Sequence, residues 1–383
     1  MIGKGLVMNK ERLNNTFIEL VSLPCESKHE KQVADFIKSK LRALGVEFVE
    51  DNANEKTGGE CGNIIATLPA TAGVNASTMF FEAHMDSVPP ATGTKVVRKD
   101  GVFYSDGTTV LGGDDKVGVA AMLEVLQEIK EKNLPHGQVQ FLFTISEEIG
   151  CLGAKFCDVK NLKSQFGYCL DSGGSLGEIT HMAPQQYTVT VQVIGKTAHA
   201  GVEPEKGINA IMLAGKALTA LPKYGRLDED TTLNVGVIKG GAAANIVAPS
   251  CEFVIDMRSL DVKKLEQLKD DTVAIIEKTI LDNGGRVEFD VKLSCPACII
   301  DKAHPCVELA VTAAKNLGAA QIKLEKSGGC SDGNFFCGMG YPAVVLGTGM
   351  SNIHTTAEYL KEEDLWNTAL WVAEILRISS TKL

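Results

Sequence analysis

Thr78-Met79-Phe80-Phe81-Glu82-Ala83-His84-Met85-Asp86 is the stretch on which the reading of this chain turns. Phe80 and Phe81 supply a strand, and the His-x-Asp closing the run stands at its C-terminal end, where α/β sheets place their ligands. Two residues apart on an extended backbone, His84 and Asp86 point to the same side. An imidazole with a carboxylate beside it to orient the ring suits a metal site. Alone the motif is weak, because a His-x-Asp also occurs incidentally in soluble enzymes.

Four more acidic or imidazole clusters follow, each next to a hydrophobic strand or a glycine-rich turn. They are Leu111-Gly112-Gly113-Asp114-Asp115-Lys116, Phe141-Leu142-Phe143-Thr144-Ile145-Ser146-Glu147-Glu148, Tyr168-Cys169-Leu170-Asp171-Ser172-Gly173 and Gly349-Met350-Ser351-Asn352-Ile353-His354. Any one acidic pair reads most simply as a solvated turn. Strand ends carrying His, Asp, Glu, Asp and finally His together form the ligand set of a two-metal site, with donors suited to Zn²⁺ or neighbouring divalent ions.

On these motifs the chain resembles the aminoacylase, carboxypeptidase and peptidase T family of two-metal peptidases, and its peptidase T-like (tripeptidase-like) branch most. The likeness covers nearly the whole chain, with the motifs in the family's order. It implies His84 as a terminal ligand of one cation, Asp114 as the bridging carboxylate and Asp171 completing the first site. Glu148 and His354 would hold the second cation, Glu147 would be the general base, and Asp86 would orient the His84 ring. It also implies two divalent ions per chain, zinc first, with manganese or cobalt as alternatives. The preference for Asp114 over Asp115 rests on this resemblance, and the sequence alone leaves both open.

The chemistry explains the residue types. Amide hydrolysis at neutral pH needs a strong oxygen nucleophile, and a divalent ion lowers the pKa of water to about 7. A shared carboxylate holds two ions roughly 3.5–4 Å apart. A free carboxylate can then take the water proton and deliver it to the leaving amine. Adjacent residues at a strand end project to different sides, so one of Glu147 and Glu148 can coordinate while the other stays unligated.

Composition agrees. At 383 residues about two domains are expected. A formal net charge of −10 and the lack of a basic stripe argue against a nucleic-acid or anionic-membrane partner. No apolar run approaches the ~20 residues of a membrane span and no signal-peptide core is present, so the expected location is cytoplasmic. Residues 1–7 are not obviously structural, and Met8 serves equally well as a start. The 11 cysteines are scattered, as expected of reduced thiols. Cys295-Pro296-Ala297-Cys298 has redox-motif spacing but no clear helix behind it, and it is given no role. Gly195-Lys196-Thr197 is set aside as a phosphate loop, because Thr190 stands where that motif needs a glycine.

The organisation is that of an interrupted α/β domain. Helices at 9–21, 28–44 and 116–132 alternate with strands near 63–68, 78–82 and 138–145, which reads as a mixed sheet. From about Met182 the order becomes strand, helix, strand, strand, helix, strand, the ferredoxin-like α+β pattern. The expected arrangement is a discontinuous catalytic domain, 1–183 and 296–383, with an inserted lid and dimerisation domain at 184–295.

His199, in the small-residue turn Thr197-Ala198-His199-Ala200-Gly201, matches a family histidine that reaches the partner subunit's active site and stabilises the oxyanion. A homodimer through the inserted domain is implied with it. Asn245 resembles the substrate-contacting asparagine, and Arg258 the arginine that holds a substrate carboxylate; a charge pair with Asp256 or Asp261 is the plain alternative for Arg258. His29, His136, His181 and His304 lack such context, and Ser327-Gly328-Gly329 resembles a family loop without an evident chemical job. Ala200 replaces a proline and Ser259 an acid of close peptidase T relatives, which weakens the tripeptide assignment.

The expected activity is removal of a terminal residue from short peptides. An N-acyl amino acid deacylase or carboxypeptidase is the alternative of the same class, and a catalytically inactive peptide-binding protein that of another. The end attacked and the side chain preferred are not legible.

Overall fold

The computed structural model describes residues 8–381, so the reading of residues 1–7 lies outside the described residues. The chain divides into two compact units, Met1–Met182 with Cys298–Leu383, and Ala183–Ala297. The divisions at 182/183 and 297/298 compare with 183/184 and 295/296 expected from the sequence. Pro296 and Ala297, read as the returning catalytic segment, remain with the strand Arg286–Cys295 that precedes them.

The first unit is built on a nine-stranded mixed sheet. Met79–His84 lies between Val139–Thr144 and Phe166–Ser172 and is parallel to both, and Phe166–Ser172 is parallel to Ala343–Gly347. Ile64–Leu68 runs antiparallel to both its neighbours, and Glu178–Ala183 runs antiparallel to Ala343–Gly347 but parallel to Lys323–Lys326. Every residue of Met79–His84 and Val139–Thr144 is buried, which is why these strands read as continuous runs without polar alternation. Register sets His84 opposite Thr144 and Glu82 opposite Cys169. The segments that follow His84 and Thr144, and the end of Phe166–Ser172, therefore emerge together at one edge of the sheet. Gly167 makes this close pairing possible, since a Cβ there would come within 2.3 Å of the Phe80 ring.

Helix Gly113–Lys132 is buried along most of its length and so lacks a single apolar stripe. Asp114 and Asp115 are non-helical inside it, and a cis peptide joins them. The regular helix thus begins at Lys116, where the sequence reading placed it.

The second unit is a five-stranded antiparallel sheet in the order Gly225–Asp228, Thr231–Gly240, Ser250–Ser259, Gln185–Ile194, Arg286–Cys295. Helices Ala210–Ala220 and Val262–Asp282 pack on it through Leu213, Ala217, Leu265, Ile276 and Ile280 against Val189, Val191, Phe253 and Ile255. Alternation of buried and half-buried residues along Ser250–Ser259 matches a sheet covered on one face. The short strand Gly225–Asp228 was not read from the sequence.

No helix of the described residues is long and apolar enough to cross a membrane. Cys298 and Cys337 form a disulfide, with Cα atoms 5.4 Å apart. This corrects the expectation that the cysteines are all free thiols. Strand Cys298–Ile299 and helix Asp332–Gly338, far apart in sequence, bring the two within bridging reach. Seven other cysteines are unbridged and buried.

Candidate metal centre

His84 ends its strand with an almost fully buried imidazole. Its Nδ1 lies 3.2 Å from the Asp86 carbonyl oxygen, which can only accept, so Nδ1 carries a proton and Nε2 is the nitrogen that would meet a cation on losing its own. Nε2 faces Asp114 Oδ1 at 3.0 Å and Asp171 Oδ1 at 4.0 Å. On the other side, His354 Nε2 lies 3.3 Å from Asp114 Oδ2 and 2.9 Å from Glu148 Oε2. Asp114 therefore turns one oxygen to each imidazole. Asp115 does not share this position: its Oδ1 accepts from the Gly118 N–H, and its Oδ2 is buried without a hydrogen-bond partner. The ambiguity between the two acids is resolved by backbone geometry, because their non-helical φ/ψ send the two side chains apart.

The donor set fits cations. Ligand atoms of His84, Asp114 and Glu148 lie within 4.8 Å of one another, and Glu148 Oε1 is buried without a hydrogen-bond partner. Imidazole and carboxylate donors at such spacing suit zinc, manganese or cobalt. Burial raises the Asp171 carboxyl, and Asp114 and Glu147 add to the rise. Burial also opposes a charged His84, but Asp114 and Asp86 outweigh it and hold its pKa well above the usual value. Asp114 pushes His354 up to about 9. Burial lifts Glu147 to about 8, with Asp332 and Glu148 contributing.

Asp86 does more than the sequence implied. Its Oδ1 is 3.4 Å from His84 Nδ1. The same carboxylate accepts the N–H groups of Glu147 at 2.9 Å and Glu148 at 3.2 Å and the Ser27 hydroxyl at 2.6 Å. One buried acid thus ties the His84 strand end to the loop carrying both glutamates. Ser146, just before them, has a left-handed φ of 54°, a conformation that costs a non-glycine residue roughly 1–2 kcal/mol. Buried Glu30 holds it there, accepting from the Ser146 N–H and hydroxyl at 2.9 and 3.1 Å.

Glu358 plays the same part for Asp114. Its buried carboxylate accepts the N–H groups of Gly112 and Asp114 at 2.8 and 3.0 Å. The fully buried Lys116 Nζ donates to the Asp86 carbonyl and to Ser87 Oγ, and Ser87 in turn donates to the Asp114 carbonyl. Sequence reasoning missed Glu30, Lys116 and Glu358. The available signals were an acid four residues after His354 and a lysine directly after Asp115, both too common to stand out.

In the second unit His199 is exposed and bridges to Ile246, and the Ala200 N–H donates to the Asn245 carbonyl, so the two expected contact residues share one loop junction. Arg258 pairs with Asp256, Nε to Oδ1 at 2.8 Å, which is the plain alternative read from the sequence.

Residues 80–378 match the peptidase family M20/M25/M40. A tripeptidase from Staphylococcus aureus is 39% identical with a TM-score of 0.93, covering 98% of this chain and all of that one. Aminopeptidase PepT from Bacillus cereus is 42% identical with a TM-score of 0.92 and the same coverage. The Bacillus subtilis protein YqjE is 41% identical over 97% of this chain and 99% of its own length.

Proposed function

The chain belongs to peptidase family M20/M25/M40, and from that premise we propose that it removes a terminal residue from short peptides, tripeptides first, in the cytoplasm. It is a metal-dependent peptide-bond hydrolase of the peptidase T-like kind, so the reading as an inactive binding protein falls away. The observation that carries the site assignment is Asp114, with one oxygen toward His84 and the other toward His354.

In this reading His84 and Asp171 would hold one cation and His354 and Glu148 the other, with Asp114 serving both, and zinc would be the ion. When bound, the ions supply Lewis acidity, drawing the pKa of water to about 7 and polarising the scissile carbonyl. Glu147 takes the proton of the attacking water and passes it to the leaving amine. Its carboxyl, lifted by burial, is suited to hold that proton between the two transfers. Asp86 and Glu30 fix the backbone on either side of Glu147, so its carboxylate meets the water without reorganising.

The inserted unit completes the reading as a homodimer with His199 stabilising the partner's oxyanion, Asn245 beside it and Arg258 binding a substrate carboxylate. Exposed apolar side chains support a self-association surface: Ile238 on the strand Thr231–Gly240, and Ile211 and Met212 on the helix Ala210–Ala220, with Ile211 beside Gly240 at the end of that strand. Among the described residues no strand pairs with the outer edge beyond Leu233. His199→Ala is expected to keep both metals and the dimer while turnover falls about 10²–10³-fold, the usual worth of an oxyanion donor. Mixing it with Glu147→Gln chains under subunit exchange should restore part of the activity, and no recovery would place His199 in its own chain's site or outside catalysis.

A panel of di-, tri- and N-acylated peptides, scored by mass spectrometry with Zn²⁺, Mn²⁺ and Co²⁺, tests the substrate class. Tripeptides should be trimmed fastest. Preference for acylated amino acids would overturn the exopeptidase reading in favour of a deacylase.

A further inference from the structure

Glu147 and Glu148 are adjacent acids that follow the strand Val139–Thr144, and their side chains meet different partners. Glu148 Oε2 lies 2.9 Å from His354 Nε2. Among the described residues the side-chain donor on the Glu147 carboxylate is Cys151, whose thiol meets Oε1 at 3.2 Å. Asp332 belongs to the same group of side chains within 4.8 Å of one another, but it is an acid engaged by Thr144 and Glu82. Asp86 and Glu30 fix only the backbone on either side of Glu147. A glutamate held by its backbone alone still has three side-chain torsions to order before its carboxylate has one position.

The turn that follows Glu147 delivers the thiol to it. The Glu147 carbonyl accepts the N–H groups of Gly150 at 2.9 Å and Cys151 at 2.7 Å. The Ser146 carbonyl accepts that of Leu152 at 3.0 Å, and the Ile145 carbonyl that of Gly153 at 2.8 Å. Gly153 permits this closure, because a Cβ there would come within 2.3 Å of the Ile145 oxygen. Cys151 has a left-handed φ of 53°, a region suited to glycine or asparagine, so backbone preference does not account for a cysteine. A residue kept in such a conformation points to a use for its side chain. Cys151 is 3% exposed. Burial, with Glu147 adding to it, holds the thiol well above its ordinary pKa, so the proton stays on sulfur and the group remains a donor.

We propose that Cys151 is a positioning residue for the hydrolysis: its thiol pins Oε1 of Glu147 and leaves Oε2 as the oxygen that receives the proton of the water. The sulfur forms no covalent bond and keeps its proton throughout. The same hydrogen bond occupies an oxygen that a cation could otherwise draw in, which keeps Glu147 a base while Glu148 beside it serves as a ligand. This role rests on the reading of Glu147 as the base.

The test compares the metal-loaded chain with Cys151→Ala, which removes the donor, and Cys151→Ser, which keeps a shorter one. Both retain a β-carbon at the left-handed position, so they differ from each other in the donor. Cys151→Ala should lower kcat about 5–10-fold, the worth of one hydrogen bond to a charged group, with KM and metal content unchanged. Cys151→Ser should recover most of that loss. Added to Glu147→Gln, Cys151→Ala should cost nothing further, because the carboxylate it positions is gone. No loss in Cys151→Ala, an equal loss in Cys151→Ser, or the full loss repeated on top of Glu147→Gln would each overturn the role. Near-normal turnover in Glu147→Gln alone would instead overturn the reading of Glu147 as base, and the positioning role with it. If Cys151→Ala does not fold, the infrared S–H stretch carries the test, assigned as the band that Cys151→Ser lacks. It should move to higher frequency in Glu147→Gln, where an amide replaces the stronger carboxylate acceptor, and an unmoved band would overturn the proposal.

Discussion

His84 reaches Asp114 from the end of a buried strand with a side chain 1% exposed, whereas His354 reaches it from a loop with half of its side chain in solvent. The strand-borne half is held on three sides: by neighbouring strands, by the Asp86 carbonyl on Nδ1, and by Lys116 on that same carbonyl. The loop-borne half has a left-handed φ of 63° at His354 itself, and its tie to the centre is Glu358, four residues on, which grips the Asp114 turn. A ligand locked by packing has little freedom to lose when an ion binds, while a ligand on a solvated loop must be ordered first. The two halves should therefore differ in how tightly and how quickly they hold metal, even though they share a carboxylate.

The largest effect should come from removing what the halves share. Asp114→Ala is expected to lose both ions and with them essentially all turnover; two ions per chain by mass spectrometry in that variant would break the bridging assignment. Next, Glu147→Gln should leave both halves loaded and lower turnover about 10²–10⁴-fold, since it removes only a proton acceptor. Full occupancy with near-normal turnover would take Glu147 out of the mechanism.

The histidine variants address the asymmetry directly. His354→Ala should empty mainly the half shared with Glu148 and retain the ion at His84, while His84→Ala should lower the affinity of the tighter half. Chelator competition on both variants measures this, and equal losses would erase the distinction. The smallest effect is in pH. His354, raised from its ordinary 6.5 to about 9, stabilises the metal-free chain fully below 6.5, and that contribution fades as the pH rises through about 9. A cation needs the imidazole unprotonated, so uptake at the loop-borne half should tighten between pH 6.5 and 9 with proton release. Calorimetry in buffers of different ionisation enthalpy reads both; a pH-independent affinity over that interval would remove His354 from the site.

The same contrast governs what could be read beforehand. The strand-borne residues were legible because a buried strand writes itself as an apolar run, and a histidine or acid at its end interrupts the run visibly. The inserted unit was legible because its element order differs from that of its surroundings. Glu30, Lys116 and Glu358 were not legible. They act by gripping backbone N–H and C=O groups from distant segments, and neither spacing nor residue type records which backbone groups will lie within reach. Arg258 shows the opposite limit: the residue type allows both a substrate carboxylate and Asp256, and only the fold shows that Asp256 lies within reach.

The sequence by itself determined the mixed α/β class and marked the candidate inserted unit and candidate donor residues, since hydrophobic periodicity and local motifs are properties of neighbours along the chain. The tertiary structure alone decided that Asp114 and not Asp115 faces both imidazoles, that Cys298 meets Cys337, and that Cys151 and Asp332 gather behind Glu147. Each of these depends on where two remote backbones stop relative to one another within an ångström or two. That distance is set by packing across the sheet, which a one-dimensional pattern does not encode.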